Sequence, residues 1–389
     1  MKKETINGLF AVGVIAALLA AMALAVVHPK AVNFYENRPA SALPAFSGAD
    51  VLSGTYQDGL EAALHDQLPA AQGLEEQYQS AVNALVFRAI KAQSEKRPDV
   101  YYAFRDLMLY HGDIVYEPVE AETLSGEIFQ KSENLNAVFD SHPELRYYVY
   151  YIEKDTDINF ETGTPMGVSD EMLYWIWLPD DRLGVYPVRS FADFRENFFR
   201  TDHHWNHVGS YRAYLALLDL LGKKDPVQPE GTVRITDDFC GSKAVTSGAG
   251  EYFSEPFDVY RFSFPDMTIT INGERAADYG RQNQPWDEAA YGPVSYSGWY
   301  GDDYGEVIFR TGNTGAGRLL VLGESYDNAI LKLLASHYET LCAVDLRSFE
   351  ADTGRPFRFS DYVETHEIDT VLFIGNIDYF RLDAFHVEV

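Results

Sequence analysis

An aspartate, a histidine and a serine in this chain could together activate a hydroxyl as a nucleophile. The serine is Ser325, in Leu319-Leu-Val-Leu-Gly-Glu-Ser-Tyr-Asp-Asn-Ala-Ile-Leu-Lys-Leu-Leu334. Four apolar residues, a Gly323-Glu324-Ser325 turn, then Ile330, Leu333 and Leu334 at helical spacing predict a buried strand, a tight turn and a helix. A serine there sits at the carboxyl end of a strand and the amino end of a helix, where free N–H groups and the helix dipole favour a developing oxyanion. The base comes from Thr201-Asp-His-His-Trp-Asn206. Asp202 and His204 are two apart, so in an extended segment they face the same side. His204 would be the general base, Asp202 its orienting carboxylate and Ser325 the nucleophile. The order Asp, His, Ser is no obstacle, since such triads recur in several chain orders.

The same residues admit other readings. Ser325 could cap a helix. His203 and His207, four apart with Asp202 adjacent, could begin a metal site, but no third ligand stands out, so no metal is expected. No cofactor-binding motif is visible either. His203 and Tyr326, beside the base and the nucleophile, are candidates for substrate contact. Gly375-Asn376 ends an apolar run, and the short amide of Asn376 suits an oxyanion donor; Gly241-Ser242 is a second candidate. Arg347 is expected to pair with Asp345.

The elements that must position these groups read as a parallel α/β sheet. Leu341 to Val344 and Val371 to Ile374 are short buried strands that follow the Ser325 strand. Ser325, Asp345 and Asn376 would then share the carboxyl edge, where ligands bind in such sheets. Upstream, Val100 to Phe104, Tyr147 to Ile152 and Met172 to Leu178 look strand-like, the last placing Trp175 and Trp177 in the core. Leu124 to Phe139 and Phe191 to Arg200 look helical. Val208, Tyr211, Leu215 and Leu218 mark an amphipathic helix ending near Gly222. Residues 225–317 read as a loop-rich insertion with short strands at Thr232 to Ile235 and Met267 to Ile271. Trp286, Trp299, Tyr300 and Tyr304 within it are candidates for a sugar-stacking wall.

The chain has 389 residues and a net charge of −28, which argues against binding nucleic acid or anionic lipid through a basic surface. Two cysteines, Cys240 and Cys342, define no disulfide framework. Lys2 and Lys3 precede an uncharged apolar run, Gly8 to Val27, about the length that spans a bilayer. The expectation is an uncleaved anchor over residues 1–30 with the remainder outside the cytoplasm; signal cleavage near Ala23-Leu-Ala25 is the alternative. A stalk and linking helix over 31–95 would join it to a body at 96–389. Leu74, Tyr78, Val82, Leu85, Val86 and Ile90 mark the helix.

Together, Thr201-Asp-His-His-Trp-Asn-His-Val-Gly-Ser-Tyr211, Val-Leu-Gly-Glu-Ser-Tyr-Asp-Asn-Ala329, His337-Tyr338 and Val344-Asp-Leu-Arg347 resemble the DHHW family. That family is similar to the SGNH-hydrolase-like proteins of bacterial alginate O-acetylation. Glu36-Asn-Arg-Pro39, Leu52-Ser-Gly54 and Asp66-Gln-Leu-Pro69 look like its membrane-proximal segment. The resemblance implies a flavodoxin-like three-layer α/β/α fold with a parallel sheet. It also implies acyl-ester chemistry, O-acetyl transfer or removal, on a cell-surface polysaccharide. Ser325, His204 and Asp202 take the catalytic positions, and a membrane protein would deliver the acyl group. One residue departs: the family usually has Gly-Asp-Ser-Tyr, and this chain has Glu324 before the serine. A non-catalytic envelope-assembly factor that keeps the fold is the alternative from another class, and a metal-dependent hydrolase on Asp202, His203 and His207 is the third.

Overall fold

The computed structural model describes residues 41–67, 96–104, 107–250, 252–282, 284–381 and 387–388, with short stretches at 32–33, 38–39 and between 78 and 94. The chain divides into two compact units, residues 1–89 and 90–389. In the first, Gly48–Ser53 and Thr55–Gln67 are helices. Ser47 caps the earlier one by accepting from Asp50 N, and Gly54 ends it in the left-handed conformation. Residues 48–59, the last part of the stretch read as stalk, are therefore helical apart from this one break. The apolar run Gly8–Val27 and much of the linking helix lie outside the described residues. Among the described residues no helix is long and apolar enough to cross a membrane.

The second unit is a mixed α/β fold on one large sheet. In chain order its strands and those of a neighbouring hairpin are β1 (Arg146–Ile152), β2 (Leu183–Tyr186), β3 (Gly231–Phe239), β4 (Glu255–Arg261), β5 (Met267–Ile271), β6 (Glu274–Ala276), β7 (Glu306–Thr311), β8 (Arg318–Leu322), β9 (Thr340–Val344) and β10 (Thr370–Gly375). Strands β3 and β4 form the separate antiparallel hairpin. The sheet runs β6-β5-β7-β9-β8-β10-β1-β2. From β9 to β2 every pairing is parallel; β7, β5 and β6 continue it antiparallel.

The expectation of a parallel sheet is thus corrected: three of its seven strand pairings are antiparallel, and β5, β6 and β7, which add them, all come from residues 225–317. Strands β5 and β6 are short, edge-side and only partly buried, so they lack the apolar runs that betray a central parallel strand. The run Met172 to Leu178 is also corrected. Val168–Tyr174 is a helix, with Val168 and Met172 one turn apart on its buried side. Its density of aromatic residues mimicked a strand. Trp177 is 66% exposed, so it is not core.

Both faces of the sheet are buried, which is why β8 reads as an unbroken apolar run. Leu319 and Val321 point to one core and Leu320 and Leu322 to the other. The helices used below are α1 (Ala121–Ser141), α2 (Phe191–Asn197), α3 (His207–Leu220), α4 (Ser242–Thr246), α5 (Tyr296–Tyr300) and α6 (Leu331–Ala335). Leu217 and Leu218 of α3 join the first core with Leu331, Leu333 and Leu334 of α6. Leu124, Ile128 and Leu135 of α1 join the second. Register places Leu322 opposite both Val344 and Phe373. The segments that leave β8, β9 and β10, carrying Ser325, Asp345 and Asn376, therefore emerge on one edge.

Helix α3 must start close against the end of α2. A Cβ on Gly209 would lie 2.1 Å from the backbone oxygen of Asn197 and 3.0 Å from Trp205 Cβ. Gly209→Ala is expected to destabilise the fold by about 1–3 kcal/mol through overpacking against rigid backbone. Chemical denaturation of the two proteins measures it, and unchanged stability would mean that α3 can shift freely.

Candidate functional site

A short strap between α2 and α3 carries Asp202 and His204. Its ends are pinned together. Phe199 N donates to His204 O at 3.1 Å, and Asn206 N donates to Asn197 O at 2.9 Å. Asn206 caps α3 by accepting from Val208 N and Gly209 N. Trp205, wholly buried, packs edge-on to Tyr326 with ring centres 5.5 Å apart. Glu255 on β4 fixes the other side, accepting from Arg200 N, Thr201 N and Thr201 Oγ1 at 3.0, 2.6 and 2.7 Å.

On this strap Asp202 is not extended. Its Oδ1 accepts from His204 N at 3.0 Å, an Asx turn that folds the carboxylate back over the residue two ahead. The same oxygen lies 2.6 Å from His204 Nδ1, so the turn brings the pair together, not the alternation of a strand. Asp202 Oδ2 accepts from Ser242 N at 2.8 Å. Across from the strap, His204 Nε2 lies 2.7 Å from Ser325 Oγ. Asp202, His204 and Ser325 thus form one continuous hydrogen-bonded line, with 3%, 6% and 9% of their surfaces exposed.

Burial by itself would raise the Asp202 carboxyl. The imidazole of His204, its hydrogen bond, His203 and the Ser242 N–H outweigh that and hold it well below the usual carboxylate range. Nδ1 facing an ionised carboxylate carries the proton, which leaves Nε2 as an acceptor toward Ser325. Tyr296 of α5 covers the other face of the imidazole, with ring centres 3.8 Å apart and planes 1° from parallel. Tyr296 carried no sequence signal, because nothing in Ser295-Tyr-Ser297 distinguishes it from the other tyrosines of this polar region.

The remaining sequence candidates separate. His203 Nδ1 lies 2.7 Å from Ser242 Oγ, and burial together with the neighbouring His204 holds its pKa well below the ordinary value, so it is neutral. Tyr326 is buried, and its hydroxyl donates to the backbone oxygen of His203. It therefore ties the nucleophile turn to the strap and presents no surface to a substrate. Trp299 and Tyr300, expected on a sugar-stacking wall, are 2% and 6% exposed and belong to the apolar core of α5. His207 is not near Asp202 in the expected metal arrangement; it packs edge-on to Tyr260 with ring centres 4.7 Å apart. Among the described residues Asp202, His203 and His204 do bring three ligand atoms within 4.8 Å, but both nitrogens of His204 already face Asp202 and Ser325. Gly241 and Ser242 are not oxyanion donors. Gly241 N donates to Thr201 Oγ1 and Ser242 N to Asp202, and a Cβ on Gly241 would lie 2.3 Å from Asp202 Cβ. Their place is behind the carboxylate, as its support. Arg347 pairs with Asp345, as expected, and also with Asp303 at 2.9 Å.

The nucleophile turn departs from the expected strand, turn and helix. A three-residue 3₁₀ turn, Asp327–Ala329, follows Tyr326, and α6 begins only at Leu331. The helix that follows Ser325 in the chain begins only at Leu331 and is five residues long, so it does not bring its amino end to the serine as expected. Local donors are present instead. The N–H groups of Ser325 and Tyr326 make no hydrogen bond within the described residues. Asn376 donates one Nδ2 hydrogen to Glu324 Oε1 at 2.7 Å, while its Oδ1 accepts from Asp378 N at 2.7 Å. Both contacts fix the amide plane, and the second Nδ2 hydrogen remains available. Gly375 is required by space: a Cβ there would meet Tyr379 Cβ at 2.4 Å.

Residues 185–344 match the model of the DHHW protein family. Over these residues the chain resembles that family. The chain also resembles solved structures at low sequence identity. A DHHW family protein from Eubacterium siraeum superposes with a TM-score of 0.55 at 15% identity, covering 73% of this chain and 94% of its own. Bacillus cereus PatB1 carrying a sulfonyl adduct gives 0.56 at 17%, covering 75% and 100%. A second PatB1 structure gives 0.52 at 20%, covering 74% and 98%. At these identities the likeness shows the fold alone. No curated protein sequence matches the chain.

Glu324, the residue where this chain departs from the usual aspartate, is 8% exposed. Burial raises its pKa to about 7, against the pull of Arg347, Lys154 and His204. A carboxyl whose folded pKa lies above its unfolded value keeps a proton that the unfolded chain has released, so this group's stability contribution falls as pH rises from about 4.5 to 7. Glu324→Gln retains the acceptor for Asn376 and removes the ionisation. With the shift to about 7, the variant is expected to gain on wild type by about 2–3 kcal/mol between pH 4.5 and pH 8. Unfolding measured at both pH values checks this; a gap that does not change with pH would show that Glu324 does not titrate there.

Proposed function

We propose that this protein is a serine-dependent acyl-ester enzyme, an O-acetyltransferase or acetylesterase, acting outside the cytoplasm on a cell-surface polysaccharide. The observation that carries the proposal is the unbroken Asp202–His204–Ser325 hydrogen-bonded line, at 2.6 and 2.7 Å. In this reading His204 Nε2 takes the Ser325 hydroxyl proton as Oγ attacks the acyl carbonyl, and Asp202 stabilises the imidazolium that forms. The oxyanion is received by the free Ser325 N–H and the spare Nδ2 hydrogen of Asn376. Collapse of the tetrahedral intermediate expels the alcohol, which takes the proton from His204. A sugar hydroxyl or water then attacks the acyl-serine by the same steps in reverse, releasing the acyl group to that acceptor.

The fold supports this reading. The cores on both faces of the sheet fit a three-layer SGNH-like arrangement, with the site on the carboxyl edge of its parallel strands. The sulfonyl adduct named for PatB1 suggests a direct probe, since sulfonyl halides react with activated serines. The apolar run Gly8–Val27 supports an anchored, extracytoplasmic placement. A membrane protein that supplies the acyl group is the partner this placement calls for, and no cofactor enters the proposed steps.

The test is intact mass spectrometry of the full chain after incubation with an activated acetyl ester or an aryl sulfonyl fluoride. Wild type is expected to gain one adduct, Ser325→Ala none, and His204→Ala to react at least about 10³-fold more slowly. Equal labelling of all three proteins would remove the proposed roles.

A further inference from the structure

A pocket lies beside the nucleophile turn. Gly323, Glu324 and Asp327 form one wall, and Asp345, Asp303 and Tyr279 are among the rest, with Asp302 at the exposed mouth. Its free interior is about 10 Å³, the size that holds one water-sized particle.

Its lining is rich in carboxyl groups. Arg347 binds two of them, Asp345 and Asp303. Asp327 makes no side-chain hydrogen bond among the described residues although only 6% of its surface is exposed. Neighbouring residues hold that carboxyl where it is. A Cβ on Gly323 would lie 2.1 Å from Asp327 Oδ2, so only glycine admits it. Asn328 builds the opposite wall, donating to Gly301 O and Asp303 Oδ1 at 3.1 and 3.2 Å and accepting from Tyr279 Oη at 2.6 Å. Burial, with Asp345, Glu324 and Asp303 nearby, pushes the Asp327 carboxyl well above its ordinary value. A carboxyl with no donor among the described residues, lining a space of that size, is met by a proton or by a water-sized or cationic group that enters the cavity.

We propose that this cavity binds a primary ammonium group. A bare divalent ion fits less well. Ca²⁺ draws its oxygens to about 2.3–2.6 Å, and among the described residues no three acidic side chains of this cavity bring oxygens within 4.8 Å of one another. An ammonium nitrogen reaches its acceptors at about 2.7–2.9 Å and needs no closed shell. What the site implies for substrate rests on the serine chemistry proposed above: the sugar presented to Ser325 carries a free amine.

Calorimetric titration of the full chain with glucosamine, N-acetylglucosamine and glucose, at pH 7 and fixed ionic strength, tests the site without turnover. Glucosamine is expected to bind about tenfold or more tightly than either neutral sugar, the scale of one charge-assisted pair. Asp327→Asn is expected to abolish the preference, and Ser325→Ala to keep it. If Asp327→Asn does not fold, Asp302→Asn at the mouth should weaken it. Equal binding of the three sugars, or an undiminished preference in Asp327→Asn, would overturn the proposal. So would stabilisation by Ca²⁺ with no response to glucosamine, which would make the cavity a metal site. Loss of Ser325 labelling with the glucosamine preference intact would instead overturn the acyl chemistry and leave the ammonium site standing.

Discussion

The site depends on one buried charge. Asp202 is removed from water, and a carboxylate there is tolerable only if its oxygens are occupied by donors. Three nearby N–H groups do this: His204 Nδ1, His204 N and Ser242 N. Each comes from backbone or from a ring that the fold has already placed. The Asx turn sets the imidazole, the imidazole sets the serine contact, and Gly241 lets the β3–α4 connection approach closely enough to deliver the Ser242 N–H. A side chain on Gly241 would push that support away before it touched the serine.

Two parts of the chain far apart in sequence must therefore agree to within a fraction of an ångström. The strap is fixed by α2, α3 and Glu255, and the nucleophile turn by β8 and its neighbours. They are joined by aromatic packing as much as by polar contacts. Trp205 and Tyr326 meet edge to face, Tyr326 donates to the strap backbone, and Tyr296 stacks on His204. Close-packed rings have few alternative rotamers, which makes them better suited to holding a geometry than flexible polar side chains.

How much of this could be read from residues alone follows from the range of each signal. Parallel strands such as Leu319–Leu322 and Val371–Ile374 are legible because both faces are buried and every position is apolar. The amphipathic helix from His207 is legible for the same kind of reason. The Asp-x-His pair and the turn serine are short-range patterns, and the structure brings them together. What stayed hidden depends on partners remote in the chain. Strands β5 and β6 lie toward an edge and keep polar residues. Trp299 and Tyr300 sit in a Gly- and Asp-rich region, yet long-range packing carries them into the core. Tyr296 matters only because α5 happens to lie over His204.

Glu324 shows how the two sides of the nucleophile turn are coupled. An aspartate there would be a methylene shorter. The longer side chain reaches Asn376 and gives its amide an acceptor, but it also adds one more carboxyl to an edge that already holds Asp345, Asp303 and Asp327. Burial raises the Glu324, Asp303 and Asp327 carboxyls despite the pull of Arg347. The same turn thus faces two electrostatic environments. On one side His204 Nε2 faces Ser325 Oγ, and on the other are carboxyls whose pKa values burial raises. A reaction that places a transient negative charge near Ser325 becomes harder as those acids ionise. Holding them protonated, or covering them with a cation, removes that repulsion.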